Sequence, residues 1–511
     1  MCPAADGDGA TVATRDWSEQ ICYQVFVRSF RDGNGDGVGD FPGLIEGLDY
    51  LQALGVTSLW LNPIFPSPTH HNYFPGDFFE TDPEYGSRAE FAALCRAVHD
   101  RGMKILLDSE TQYLPAAHEW FQAALADRNS PLRRRFLFRE DDPDDWLHLC
   151  LHMPVDGRVV EVGLRELPIL NLHDPDVAEF QRRFYRFWLD PLGDGDRRGG
   201  VDGYRLDHVM DDLDGYGVLT GLLRDFWRPL IDHVRRVDPE AFFLAEQADW
   251  QDEGRALLTE AGIDGVFAIP LMFALRSLDR GRIEAAIRRA RAATATGRSP
   301  FLILENHDVT RFATAVGERP GAERIGAALN LTLPGIPTLY YGQELGMTGR
   351  IGEPDHDVHI PAREAFRWRR DIDAPGMAVW YRDHRFWQRT GITRPDGRTL
   401  EDQRGDPASL WHWYRRLIAL RRASPALCHG DCTLLESGHP DVLAFRRRYR
   451  DEAVTVVAHL GGTAARLPRH SPANPAGDPL VGEAGGGHEL EPWAVRIVLE
   501  PGSGAARTAT A

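Results

Sequence analysis

The stretch GYRLDH (203–208) ends a short apolar run with an aspartate, Asp207. Two later stretches repeat this pattern: FFLAEQ (242–247) carries Glu246, and FLILENHD (301–308) carries Asp308. A carboxylate beside a buried strand is costly unless it is paired, hydrogen-bonded or used in chemistry. The three stretches are far enough apart to leave room for a helix between them. This arrangement is typical of a parallel α/β barrel, which presents catalytic groups at the C-terminal ends of its strands.

Other short apolar stretches support the barrel, because they recur between segments of helical periodicity as buried parallel strands do. They are VTSLWLN (56–62), MKILLDS (103–109), DGVFAIP (264–270), PFLILEN (300–306) and IPTLYYG (336–342). Segment 174–189 has apolar residues on one helical face, with Asp174 as the predicted N-cap and Pro175 in the first turn. The number and regular alternation of these segments predict a (β/α)8 TIM barrel.

The chain of 511 residues is long enough for a barrel and further domains. We predict that residues 17–113 and 170–422 form the barrel and that the polar, irregular segment 114–169 is a small domain inserted after the third strand. Residues 423–501 contain alternating stretches separated by Gly, Pro and Asp, which predicts a C-terminal antiparallel β-sandwich. Residues 1–16 and 502–511 are small and polar, which is typical of mobile tails.

The chain resembles the α-amylase superfamily, glycoside hydrolase family 13, and its bacterial oligosaccharide-acting members in particular. The resemblance is carried by YQVFVRSF, GDFPGLIEGLDYLQALGVTSLWLNPIFPSP, GYRLDH, AEQ, ENHD and YYGQELGM. These segments match the family's recurring segments over most of the chain. The resemblance implies a retaining enzyme acting on α-glucosides, in which one carboxylate attacks the sugar and one carboxylic acid protonates the leaving oxygen.

The resemblance also implies roles for the residues of these motifs. Asp207 would be the nucleophile, with Arg205 holding it ionised and oriented. Glu246 would be the general acid, and its apolar lead-in FFLA suits the raised pKa that this role requires. Asp308, helped by His307, would bind the hydroxyls of the reacting sugar and stabilise the cation-like transition state.

The stretch that begins at Asp108, near the end of MKILLDS (103–109), departs from the family pattern. The family has an Asp, three residues and Asn-His, whereas this chain has Asp108, three residues and then Gln112-Tyr113. The resemblance implies that Asp108 binds substrate and that the Tyr113 hydroxyl replaces the histidine, while Tyr73 stacks beneath the reacting sugar. Gln112 and Ile169 replace the Asn and Asp that commonly hold a calcium ion between barrel and inserted domain, so we expect that site to be absent.

A different calcium site is predicted in RDGNGDGVGD (31–40). Its oxygen ligands are Asp32, Asn34, Asp36, the Val38 carbonyl and Asp40, with glycines between them. Such an oxygen-rich turn suits a hard cation, and a similar loop follows the first strand in oligosaccharide-acting members of the family. We expect a structural Ca²⁺ ion and no organic cofactor. The alternative is a Gly/Asp-rich turn without an ion.

Charge and cysteine usage limit the partners. The formal net charge of −18 argues against nucleic acid or an anionic membrane and suits an uncharged substrate. The six cysteines show no metal-ligand spacing, so free thiols in a reducing compartment are expected. No apolar leader or membrane span is present, which favours a cytoplasmic protein, or a secreted one if a leader was removed. The oligomeric state stays open.

The predicted activity is hydrolysis of α-1,4-linked glucooligosaccharides or α-glucans. Segment 363–381, REAFRWRRDIDAPGMAVWY, resembles bacterial amylase-like members more than disaccharide isomerases. One alternative is a transglycosylase or isomerase acting on sucrose-, trehalose- or maltose-type α-glucosides, since the same mechanism would serve. Another is a non-catalytic member of the fold, whose signature would be the loss of a carboxylate; Asp207, Glu246 and Asp308 are all retained.

Overall fold

The computed structural model describes residues 16–155, 158–293, 298, 300–351, 356–474, 479–482 and 488–500. Its first ten strands are β1 (Cys22–Val25), β2 (Ser58–Leu61), β3 (Lys104–Ser109), β4 (His148–Val155), β5 (Arg158–Pro168), β6 (Gly203–Val209), β7 (Phe242–Gln247), β8 (Gly265–Val266), β9 (Phe301–Leu302) and β10 (Ile336–Tyr340). Apart from β4 and β5 they form one parallel sheet in the order β8-β7-β6-β3-β2-β1-β10-β9. A parallel bridge between Phe267 and Phe301 joins the two edges. The predicted (β/α)8 barrel is confirmed.

Helices lie between the barrel strands and continue beyond them. They are α1 (Val27–Phe30), α2 (Phe41–Leu54), α3 (Arg88–Asp100), α4 (Glu119–Ala126), α5 (Pro175–Phe187), α6 (Arg228–Val237), α7 (Ile269–Ser277), α8 (Arg280–Ala293), α9 (Phe312–Ala315), α10 (Pro320–Thr332), α11 (Leu400–Arg404), α12 (Leu410–Ala423) and α13 (Pro425–His429). The predicted start of α5 is confirmed, because the Asp174 side chain accepts hydrogen bonds from the first turn.

The interior of the barrel explains where the carboxylates point. Leu106 of β3 and Leu244 of β7 belong to a buried cluster with Trp60 and other residues from strands around the ring. Successive side chains of a strand point to opposite faces, so residues two apart share one face. Asp108 and Glu246, two residues after the two leucines, therefore face the barrel axis at the C-terminal ends of their strands.

Two predicted strands are shorter than the apolar stretches that indicated them. In 264–270 only β8 is extended, because α7 begins at Ile269 with Pro270 in its first turn, and proline has no N–H to donate to a ladder. In 300–306 only β9 is paired. There the chain leaves the ladder before Glu305, whose carboxylate accepts a hydrogen bond from buried Arg311 at 3.0 Å.

The segment between β3 and α5 leaves the barrel. It contains α4, a short 3₁₀ helix and the antiparallel hairpin of β4 and β5. Backbone hydrogen bonds from Leu114 to Pro168 and from Ala116 to Glu166 bring the two ends of this insertion together. The predicted inserted domain, 114–169, covers these elements, and its limits stay a prediction, as do those of the other domains.

The C-terminal part is antiparallel, as predicted. Its strands are β11 (Asp431–Leu434), β12 (Val442–Tyr449), β13 (Glu452–His459), β14 (Ala465–Arg466), β15 (Pro479–Gly482), β16 (Glu489–Leu490) and β17 (Val495–Leu499). A five-stranded sheet, β11-β12-β13-β17-β15, lies beside the pair β14-β16. Val442 and Val457 of the larger sheet share a buried cluster with Ala465 and Leu490 of the smaller one, so the two sheets pack face to face.

Several expectations concern the chain ends, thiols and membrane. The predicted tails fall outside the described residues except at Asp16. The cysteines at 22, 95, 150, 428 and 432 carry free thiols, as predicted, while Cys2 lies outside the described residues. Within the described ranges, no helix has the length and apolar character needed to cross a membrane.

Candidate active site

Arg205 of β6 is the centre of the candidate site. Its side chain is 0% exposed. One terminal nitrogen, Nη1, donates to Asp108 Oδ1 at 2.8 Å and to Asp207 Oδ1, while Nη2 donates to Glu246 Oε2 at 2.6 Å. A single guanidinium therefore gathers carboxyl groups from three neighbouring strands, β3, β6 and β7, and orients each through a charge-assisted hydrogen bond.

Glu246 is buried and protonated at neutral pH. Burial, with the charges of Asp207 and Asp308, outweighs the opposing effect of Arg205 and raises the pKa of Glu246 to about 8. The other carboxyl oxygen, Oε1, accepts a hydrogen bond from Trp250 Nε1 at 3.1 Å. Glu246 can therefore donate a proton near neutrality.

Asp308 has a different set of partners. His307 Nε2 lies 3.0 Å from Asp308 Oδ2, and Arg363 Nη2 donates to Oδ1 at 2.9 Å. Arg363 also donates to His359 Nδ1 at 2.8 Å. Burial alone would raise the pKa of Asp308, but His307, Arg363 and His359 outweigh it and hold that pKa well below its usual range. Asp308 is therefore an ionised carboxylate beside a neutral acid, Glu246.

Tyr73 and His307 form a flat wall of the site. Their rings are stacked with centroids 5.3 Å apart and an interplanar angle of 4°. The Tyr73 hydroxyl donates to Asp108 Oδ2 at 2.6 Å, and Trp60 Nε1 donates to the same oxygen at 2.9 Å. Together with Arg205, these donors fix Asp108 completely, since it is buried and accepts three hydrogen bonds.

Tyr113 lies beside this cluster and not within it. Its buried hydroxyl donates to Asp214 Oδ1 at 2.9 Å. His208 Nε2 lies 3.1 Å from the same oxygen, and the hydrogen bond and charge of Asp214 outweigh burial and raise the pKa of His208. The hydrogen of the Tyr113 hydroxyl is therefore already used by Asp214. The contact between Tyr113 and a sugar stays a prediction.

Several groups of the site are not predicted from the sequence. Arg363 lies within segment 363–381, and no local pattern connects it with Asp308. Trp250 follows β7 in a loop, where sequence does not indicate direction. Glu110 carried a usable signal, because it is an acidic residue directly after the apolar stretch 103–109, close to Asp108.

The predicted calcium loop is well formed by its own hydrogen bonds. Asp32 accepts from the N–H of Asn34 at 3.1 Å, and Asp40 caps α2 while accepting from the same N–H at 3.1 Å. Asp36 accepts from the N–H of Val38 at 2.8 Å. The predicted ligands are all oxygen atoms, the donor type that Ca²⁺ prefers. Among the described residues, no three His, Cys, Asp or Glu side chains are grouped to hold a metal ion. An ion here would therefore need the Asn34 amide and the Val38 carbonyl as well.

Comparison with known proteins gives a consistent set of matches. The family model described as "Alpha amylase, catalytic domain" matches residues 24–215 and 271–430. "Alpha-amylase 3" of Dictyoglomus thermophilum is 30% identical over 454 residues, covering 87% of this chain and 85% of that protein. "4-alpha-glucanotransferase" of Thermotoga maritima is 32% identical over 408 residues, covering 76% of this chain and 84% of that protein. The crystal structure of an α-amylase from H. orenii superposes with a TM-score of 0.76 at 25% identity, covering 94% of this chain and 99% of that one.

Proposed function

Because this chain belongs to the α-amylase family, we propose that it is a retaining hydrolase of α-1,4-linked glucooligosaccharides or α-glucans. The observation that carries the proposal is the guanidinium of Arg205, which binds one oxygen of Asp207 and one of Glu246 through its two terminal nitrogens. Retaining glycosidases work with two carboxyl groups only about 5–5.5 Å apart. Two groups bound to one guanidinium are held close to each other, as that mechanism requires.

In the proposed first step, an Asp207 oxygen attacks the anomeric carbon of the sugar. The bond from that carbon to the glycosidic oxygen breaks, and Glu246 gives its proton to the departing oxygen. The high pKa of Glu246 leaves it protonated at neutral pH, which this step needs. The product is a glycosyl ester of Asp207 and a released sugar.

In the second step, water attacks the anomeric carbon while Glu246, now a carboxylate, takes the proton of the water. The ester bond breaks and its electron pair returns to Asp207. The charge of Asp308 would stabilise the positive charge that develops on the sugar ring in both steps. The Tyr73 ring would stack on the sugar. Asp108, which is buried and already accepts three hydrogen bonds, would hold Tyr73 and Arg205 in place.

Transglycosylation or isomerisation of a sucrose-, trehalose- or maltose-type α-glucoside is the second candidate. The relative named "4-alpha-glucanotransferase" supports it, since a sugar hydroxyl would take the place of water in the second step. A non-catalytic role is disfavoured, because three carboxyl groups around one buried arginine are expensive to maintain without chemistry.

Time-resolved proton NMR with maltoheptaose tests the proposal. We expect α-anomeric maltooligosaccharides at the earliest time points, before mutarotation. Longer or re-linked products would favour a transferase, and glucose as the sole product an exo-acting glucosidase. If maltoheptaose stays intact, the same experiment with sucrose, trehalose and maltose tests the second candidate, and inertness toward all four sugars would overturn both.

We also propose that the loop at 31–40 binds a structural Ca²⁺ ion. A ligand at a hundredfold excess over its Kd stabilises a protein by about 2.7 kcal/mol, so calcium should raise Tm by several degrees over chelated protein. Asp36→Asn should remove most of that shift, because it deletes one ligand charge from an exposed position. The control Asp49→Asn, a surface change on α2, should keep it. If the Tm of the unaltered protein is the same with calcium and after chelation, the proposed calcium site is wrong.

A further inference from the structure

Glu110 is a buried carboxyl group that the proposed reaction does not use. It follows β3 and is 5% exposed. The register of β3 and β6 pairs Asp108 with Arg205 and Ser109 with Leu206, so Glu110 lies next to Asp207. A glutamate in such a place is costly to bury, so its contacts indicate what it does.

One oxygen of Glu110 is fully occupied by the backbone. Oε1 accepts hydrogen bonds from the N–H of Thr111 at 2.6 Å and of Gln112 at 2.5 Å. The same carboxyl group is also within hydrogen-bonding reach of the Asp207 side chain. Two carboxyl groups can hydrogen-bond only when one of them carries a proton. Because Oε1 accepts from two donors, Oε2 is the atom left to carry that proton toward Asp207.

Within the part of the chain that the structure describes, no hydrogen bond or ion pair joins Arg205 to Glu110. The three hydrogen bonds of Arg205 to carboxyl groups go to Asp108, Asp207 and Glu246. Titratable side chains near Glu110 include Tyr113 of the same loop and Tyr185 of α5, and both have a pKa raised above the usual value by burial. His208, whose pKa is raised by Asp214, contacts the Tyr113 ring. Burial, followed by the charge of Asp207, raises the pKa of Glu110 well above its usual range. Burial and the neighbouring Asp207 therefore favour the protonated form of Glu110, which a hydrogen bond between two carboxyl groups requires.

We propose that Glu110 is a positioning residue whose neutral carboxyl donates a hydrogen bond to Asp207 and so speeds the breakdown of the glycosyl ester. This inference rests on the proposed function. In that step, the bond between the anomeric carbon and Asp207 breaks, and the electron pair returns to the aspartate as a carboxylate. A hydrogen bond to that carboxylate is stronger than one to the ester, because its acceptor is charged. Glu110 keeps its proton throughout.

The kinetic test uses α-glucosyl fluoride as the probe, since fluoride leaves without help from an acid. Glu110→Val removes the donor, so breakdown of the ester should slow by roughly 10- to 100-fold, the rate equivalent of one hydrogen bond to a charged group. Both kcat and KM should fall together, and intact-protein mass spectrometry after rapid acid quench should show a hexosyl adduct on Asp207. Glu110→Gln keeps an N–H donor and the Oε1 acceptor, so it should behave like the unaltered enzyme. A purely structural role would instead lower kcat/KM without any adduct.

A thermal test is independent of activity. Because the folded protein keeps the Glu110 proton and the unfolded chain loses it above a pH of about 4.3, this group costs stability as pH rises past that value. Glu110→Gln should therefore raise Tm relative to the unaltered protein at pH 7.5 and change it little at pH 4.5. Glu240→Gln, at an exposed position, is the matched control and should show no such difference.

The outcomes separate the two proposals. Unaltered enzyme that turns over no α-glucoside would overturn the proposed function. Active enzyme whose Glu110→Val variant forms no adduct would overturn the role of Glu110 in ester breakdown. A Glu110→Gln shift in Tm that is the same at both pH values would overturn the neutral acid on which that role depends.

Discussion

Asp207→Asn is expected to lower kcat/KM for maltoheptaose by roughly 10⁴-fold or more, while the protein stays folded. The amide cannot form the glycosyl ester, but it has nearly the same shape and keeps an oxygen that can accept from Arg205. Arg205 also keeps its hydrogen bonds to Asp108 and Glu246, so the buried cation remains paired. The measurements are kcat/KM by product release and Tm by circular dichroism.

The matched control for this change is Asp49→Asn. Asp49 is an exposed aspartate on α2, so the same chemical change there should leave both activity and Tm nearly unaltered. Asp207→Asn protein that still hydrolyses maltoheptaose at a substantial fraction of the normal rate would show that the nucleophile lies elsewhere. A collapse of Tm would indicate that the loss comes from folding and not from chemistry.

Glu246→Gln is expected to lower turnover of maltoheptaose by about 10²–10⁴-fold, because glutamine cannot protonate the leaving sugar oxygen. The first step with α-glucosyl fluoride should survive, since fluoride needs no proton, and the glycosyl ester should then accumulate. Azide, which needs no general base, should restore breakdown and give α-glucosyl azide. Equal loss on both substrates, with no rescue by azide, would contradict the acid and base role of Glu246.

The same residue determines the expected pH dependence. Glu246 must be protonated for the first step, and its pKa is raised to about 8, so activity on maltoheptaose should be present below that pH and fall above it. In Glu246→Gln protein, the first step with α-glucosyl fluoride should lack this alkaline loss. If the activity of the unaltered enzyme is instead lost as pH rises past about 5, Glu246 is already ionised at neutral pH in the working site.

The local sequence pattern is sufficient to predict where most barrel strands lie and which residues stand at their ends. Alternation along β3, β6 and β7 is a property of each strand alone, so the inward direction of Asp108, Asp207 and Glu246 follows from their positions. The start of α5 is equally local, because Asp174 caps a helix through its own next residues. The lengths of β8 and β9 were overestimated, because burial makes a stretch apolar whether or not it pairs as a strand.

Contacts between distant segments were decided only by the tertiary structure. Arg363 reaches Asp308 from the long segment that follows β10, and Tyr113 in the loop after β3 reaches Asp214 in the segment after β6. Local sequence periodicity predicts neither contact, because each depends on how separate segments fold over the C-terminal end of the barrel.

The family, the parallel barrel and the three carboxyl groups at its strand ends can be inferred from the amino-acid pattern alone. The division of charge among these groups appears only in the folded molecule. Arg205 is shared by Asp108, Asp207 and Glu246, while Asp308 lies with His307 and Arg363. Burial and the charge of Asp207 raise the pKa of Glu110 and favour its protonated form. The physical reason is that the protonation of a buried group depends on desolvation and on nearby charges, and both are properties of the packed molecule.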